Sequence, residues 1–177
     1  MFNINLIKSA LKDGGARQNL FSVQFRNPAN QKGDLTAPFL IQASSIPSAD
    51  IGTIQVPFFG RFIKLAGDRQ YPEWQVSILN DENFLIRDAL EEWSNKINGF
   101  AQNIRTLTNY KSEATVTQYS KTGKIIRQYE FHGIFPTNIG AIGLNWAETD
   151  QIEMFDATFA FDYWTVASGP TGNAGGV

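Results

Sequence analysis

Short runs in which apolar and polar residues alternate recur along the chain, and they predict strands more often than helices. Phe21, Val23 and Phe25 fall on one face of a run from Leu20 to Phe25. Phe39 to Ser44 reads as a second strand, followed by loop from Ser45 to Asp50. Ile54, Val56 and Phe58 alternate up to Phe59-Gly60, and Arg61 to Ala66 returns, so this stretch predicts a long hairpin with an apolar face. Gly67-Asp68-Arg69-Gln70 is read as the break that ends the return strand. Trp74, Val76 and Ile78 share a face of the next strand. Glu113 to Ser120 and Lys124 to His132 flank a turn at Lys121-Thr122-Gly123, and Gly133 to Gly140 is expected to be irregular. A final long strand is expected from Gln151 to Trp164, with Phe155, Ala157, Phe159, Phe161 and Tyr163 on one face. The opposite face carries Asp156, Thr158, Ala160 and Asp162.

The helical period appears twice. Ile86, Leu90, Trp93 and Ile97 are spaced four, three and four, which makes one helix face. Asn80-Asp81-Glu82 supplies its expected start and Gly99 its expected left-handed end, with Lys96 in the last turn. A short N-terminal helix, capped by Asn3 or Asn5 and striped by Leu6, Ile7, Ala10 and Leu11, is expected to stop at Asp13-Gly14-Gly15. Roughly eight strands against one long and one short helix predict a mainly β fold, an antiparallel β-sandwich or barrel with a flanking α-helix. Residues 1–166 read as one domain and 167–177 as a Gly-rich tail with no means of building a core.

Composition narrows the function classes. Charged residues make up 18% of the 177, below the usual share of about a quarter, which fits a plain neutral globular protein first and, second, a subunit that hides surface against copies of itself. The net charge is −2 and no basic run occurs, so a grip on nucleic-acid phosphates has no footprint. The chain has no Cys, which removes disulfides, thiolate metal sites and Cys nucleophiles. The N-terminal pattern indicates no signal peptide, and no apolar run spans a bilayer.

Catalytic constellations are sparse. His132 is the one histidine, too little for a zinc site or a Ser-His-Asp triad. Glu91-Glu92 points apart on a helix. Asp156 and Asp162, on one strand, would lie roughly 20 Å apart, too far to share a bond under attack. Lys121-Thr122-Gly123-Lys124 lacks the glycine-rich approach of a phosphate loop, and Gly140-Ala141-Ile142-Gly143 lacks a Rossmann context. No enzyme activity, cofactor or metal is expected. Asp68 and Arg69 read either as a local polar pair or as a charged contact that fixes register between subunits.

Three blocks then carry a resemblance. They are Leu65-Ala66-Gly67-Asp68-Arg69 with Trp74, Val76 and Asn80-Asp81-Glu82; Gly133-Ile134-Phe135-Pro136-Thr137-Asn138-Ile139-Gly140 with Leu144-Asn145-Trp146; and Phe161-Asp162-Tyr163-Trp164. With Asn19-Leu20-Phe21, they resemble the tail tube proteins of contractile-tailed (myovirus) bacteriophages, in order and over most of the chain. The resemblance implies a subunit that forms hexameric rings, with sheets of six copies joined into an inner β-barrel around a channel. Rings stack into a filament, a contractile sheath surrounds it, a baseplate seeds it and a terminator protein ends it. Double-stranded DNA and a tape-measure protein pass through the lumen without sequence-specific binding. The place is the virion tail, assembled in the bacterial cytoplasm. The type VI secretion tube resembles the same architecture, so a secretion or tailocin subunit is the alternative. A third reading is a monomeric β-barrel ligand binder or a carboxylate-dependent hydrolase, which needs an apolar pocket with convergent polar groups. The tail beyond Trp164 departs from the family pattern.

Within this frame Ile54, Val56, Phe58 and Phe59 are expected to contact a neighbouring ring or subunit, as are Asp68 and Arg69. Asp156 and Asp162 are the candidates for the lumen.

Overall fold

The computed structural model describes residues 4–29, 34, 37–101, 105 and 108–167. Nine strands dominate the described residues. β1 (Phe21–Phe25), β6 (Ser112–Tyr119), β7 (Ile125–Ile139), β8 (Met154–Ala160), β5 (Trp74–Leu79) and β2 (Ile41–Ser44) follow one another as antiparallel neighbours, and β9 (Tyr163–Val166) also pairs with β7. β3 (Asp50–Phe58) and β4 (Arg61–Gln70) form a separate two-stranded sheet.

β7 is the hinge of the topology. Its first part pairs with β6 on one side and β9 on the other, and its last residues pair with β8. The handover falls at Gly133, whose φ of 69° bends the strand. The stretch from Gly133 to Ile139, expected to be irregular, is therefore strand. The bend folds one part of the sheet over the other, and the inward residues of both meet. Trp74 lies 4.5 Å from Phe131, and Phe25 lies 6.2 Å from Phe159, between ring centres. Val23, Val76, Ile78, Val116, Phe155 and Ala157 complete a buried interior. The sandwich expectation holds, and the interior is filled by side chains.

The long helix α3 (Leu85–Ile97) covers the sandwich with Ile86, Ala89, Leu90 and Trp93, all buried. Its start comes later than expected. Asp81 to Phe84 form a turn closed by the Phe84 N–H on the Asp81 carbonyl, Phe84 takes a left-handed φ of 54°, and the Asp81 side chain reaches forward to accept the Leu85 N–H. At the other end Asn98 is extended (φ −144°), so Gly99 does not close the helix in a left-handed cap. Lys96 in the last turn donates to the Pro28 carbonyl. Asn27, buried, donates from its side chain to the Ala89 carbonyl and accepts the Ala29 N–H, tying the end of β1 to α3. Asp34 accepts the Asn27 N–H, and burial raises its carboxyl above the ordinary range.

Three further expectations are corrected. Phe39 to Ser44 is not one strand: Ala37–Leu40 is a helical turn, α2, which leaves Phe39 exposed, and only Ile41–Ser44 pairs. The final run splits into β8 and β9 at Phe161-Asp162, so Asp156 and Asp162 do not share a strand. The return strand β4 runs through Gly67 to Gln70 and the break follows it. The N-terminal helix α1 (Ile4–Ala10) forms and stops at Asp13, Gly14 and Gly15, all with positive φ, but it buries none of its residues. Asn3 and the tail from 168 to 177 lie outside the described residues.

Candidate assembly interface

β3 and β4 build an arm. Nine residues at about 3.3 Å each give it a length near 30 Å. Its turn is the two-residue Phe59-Gly60, with φ of 43° and 78°, the double positive φ of a tight hairpin. The arm has no substantial packing partner among the other described elements. Antiparallel register sorts its faces. Ile54 opposes Leu65, Val56 opposes Ile63 and Phe58 opposes Arg61, and directly opposed residues share a face. One face is thus Ile54, Val56, Phe58, Ile63 and Leu65, with Arg61 at its outer end. Gln55, Lys64, Pro57 and Phe62 fall on the other. All of these side chains are exposed, and Phe59 at the tip is 94% exposed.

Near its base the arm is irregular by necessity. Ile51 opposes Arg69 and Thr53 opposes Ala66, so Gly67 and Asp68 together face Gly52. A Cβ on Gly67 would come within 3.1 Å of the Gly52 carbonyl oxygen, which is why a glycine stands there. Asp68 and Arg69 sit on this strand, exposed, and among the described residues no ion pair joins them. Two tryptophans hold the approach. Trp74 donates from its indole N–H to the Ser45 carbonyl at 2.9 Å, and Trp164 donates to the Ser48 carbonyl at 3.1 Å. Both bonds fix the segment that launches β3. Sequence periodicity identifies Trp74 as core and gives no sign of this second task. It also shows the Arg61–Ala66 run, from which Ile63 and Leu65 were legible as the other half of the apolar face.

A second exposed surface is the β7–β8 connection, residues 140–153. Leu144, Trp146 and Ile152 stand out of it, with Trp146 fully exposed. Both of its ends are clamped. Gly140 donates to the Asp156 carbonyl and accepts from Arg87 Nη1 at 2.6 Å, while Arg87 also lies over the Phe155 ring. Asn80 bonds Glu153 twice, from its backbone N–H to the carbonyl and from its side chain to the carboxylate.

The two lumen candidates part company. Asp156 is exposed on β8 and accepts from Ser77 Oγ at 2.5 Å. Asp162 sits between β8 and β9, where Lys111 contacts both carboxylate oxygens at 2.7 Å. The bond to Asp162 raises the Lys111 pKa above its ordinary value. His132 stacks on Tyr163 and hydrogen-bonds Thr165 across β7 and β9, a structural placement. Among the described residues no three His, Asp or Glu side chains converge as a metal site.

The fold itself is that of tube components of contractile injection systems. The chain superposes on the tube-terminating cap of the anti-feeding prophage with a TM-score of 0.65 at 18% identity, covering 86% of this chain and 90% of the other. It superposes on a chain of the sheath–tube complex of an extracellular contractile injection system in the extended state with a TM-score of 0.61 at 14% identity, covering 90% and 96%. In sequence, residues 16–167 match the model of the phage tail tube protein family. The tail tube protein gp19 of Enterobacteria phage T4 is 32% identical over 152 residues, 84% of this chain and 90% of the relative. A tail tube protein of Serratia phage KSP90 is 25% identical over 165 residues, 88% of this chain and 92% of the relative. The chain belongs to the phage tail tube protein family, and its role is structural.

Proposed function

We propose that this chain is the subunit of the inner tube of a contractile phage tail. Six copies form a ring, their sheets join around a channel, and rings stack into a filament that carries DNA into the host. A sheath surrounds the filament, a baseplate seeds it and a terminator ends it. DNA and a tape-measure protein occupy the channel in turn. Subunits are made and assembled in the host cytoplasm, and no catalysis is involved.

The observation that carries this reading is the arm. A two-stranded hairpin is marginal in water on its own, and this one presents a continuous apolar face that its own subunit leaves uncovered. Burying each such side chain contributes about 1.5–3 kcal/mol, so a neighbouring copy that covers the face both completes the fold and drives assembly. The low charge and the lack of a basic run support a channel that lets DNA slide. Asp156 is the stronger lumen candidate, since Lys111 offsets the charge of Asp162.

A secretion-type or tailocin tube is the second reading, favoured by the fold shared with extracellular injection systems. It differs in cargo, and the 32% identity to a phage protein favours the phage. A ligand binder finds no support in an interior packed with Trp74, Phe131 and Phe159.

An Ile54→Asp, Phe58→Asp double variant tests the reading. It places unpaired carboxylates on a surface that assembly desolvates, at several kcal/mol each. We expect an unchanged circular dichroism spectrum and no tubes by electron microscopy. Tubes of normal length would contradict it.

A further inference from the structure

We infer that the arm tip of one copy docks into the β7–β8 connection of the next copy, with Phe59 as the knob. This rests on the proposal that the arm contacts a neighbouring copy.

Four observations converge. Phe59 is held at a φ of 43°, a conformation unfavourable for a bulky side chain, while 94% exposed and packed edge-on against Phe58 at 4.7 Å. A hairpin turn prefers Asn or Gly at that place, so an exposed Phe there violates a local rule in the free subunit and marks a functional position. The β7–β8 connection holds a depression of about 320 Å³ lined by Leu144, Ile152 and Met154, with Glu148 and Glu153 on it. Its charge is one-signed: residues 141–153 contain Glu148, Asp150 and Glu153 and no cation, a net of −3. The outer arm is the complement, since residues 54–65 contain Arg61 and Lys64 and no acid, a net of +2. Matched potentials steer and register such a contact. The depression is also preformed, because Arg87 and Asn80 clamp its ends, so little ordering opposes docking.

The contact joins two different patches. Each copy therefore keeps a free arm at one end and a free depression at the other, and the contact propagates as an open filament.

The absence of native Cys makes the test direct. Chains carrying Phe62→Cys beside the tip and Gln151→Cys at the depression, which leave Phe59 and Leu144 in place, are mixed at high concentration under mild oxidation, and a Phe62→Cys with Thr122→Cys mixture serves as control, because Thr122 is exposed in the β6–β7 turn. We expect the first pair to cross-link at least tenfold more than the control. Adding Glu148→Lys and Asp150→Lys, which spare the Asn80–Glu153 clamp, should remove that preference, and adding Arg61→Glu and Lys64→Glu to the arm should restore it. Cross-linking no greater than control overturns the inference. Electron microscopy of the same samples separates the two failures: tubes without preferential coupling refute this docking site alone, while neither tubes nor coupling refutes the tube reading as well.

Discussion

At the residue scale, Gly133 and Asp162 decide how one chain makes two packed sheets. Gly133 bends β7 at a φ of 69°, and the space a Cβ would take is filled by the Asp162 carboxylate. Asp162 in turn donates its backbone N–H to the His132 carbonyl and holds Lys111. A Gly133→Ala change strains the backbone and displaces the carboxylate together, and we expect a loss of about 1–3 kcal/mol, read as a lower urea midpoint of unassembled protein. An unchanged midpoint would show that β7 turns without help from this glycine. Alternation could not expose this junction. Asp162 falls on the polar face that an unbroken strand would give it, so the run from Gln151 to Trp164 reads as one strand. The partner that forces the break lies some thirty residues earlier in the chain. The apolar positions Val23, Phe25, Trp74, Phe155 and Phe159 were legible as core, because period two and burial agree there.

At the scale of elements, the arm meets the rest of the described subunit mainly at its root. Trp164 and Trp74 hold its root through indole N–H bonds to Ser48 and Ser45. Replacing Trp164 by Phe keeps the ring and removes the donor. We expect a stability loss of about 0.5–1.5 kcal/mol, the net worth of one hydrogen bond, with faster amide exchange in residues 50–58 and shorter tubes. If exchange in β3 stays unchanged, the arm is held by other means. The hairpin and its apolar face were readable from Ile54, Val56 and Phe58, because alternation reports which side of a strand is apolar. Whether that side is covered is a property of the rest of the molecule, and the sequence is silent on it. Phe39 shows the same limit from the other direction. It sits in an apolar run that reads as strand, yet the chain takes a helical turn there and exposes it. The α3 face was legible from Ile86, Leu90 and Trp93, and Asp81 accepts the Leu85 N–H as its place in the start signal suggests, while the left-handed Phe84 and the extended Asn98 at the two ends were not legible.

At the scale of the molecule, a filled core coexists with two uncovered apolar surfaces of opposite charge, the arm and the β7–β8 connection. A monomeric protein gains nothing from either. A subunit that repeats head to tail, as we propose for this chain, would use both, and membership of the phage tail tube protein family supports that reading. The central claim is assembly into a hollow tube, and the most direct measurement is electron microscopy of the purified chain over a range of concentrations, with baseplate seeds added to a parallel series. The account predicts hollow filaments with sixfold end views, longer as concentration rises or seeds are supplied. Monomers or closed compact oligomers in both series would contradict it.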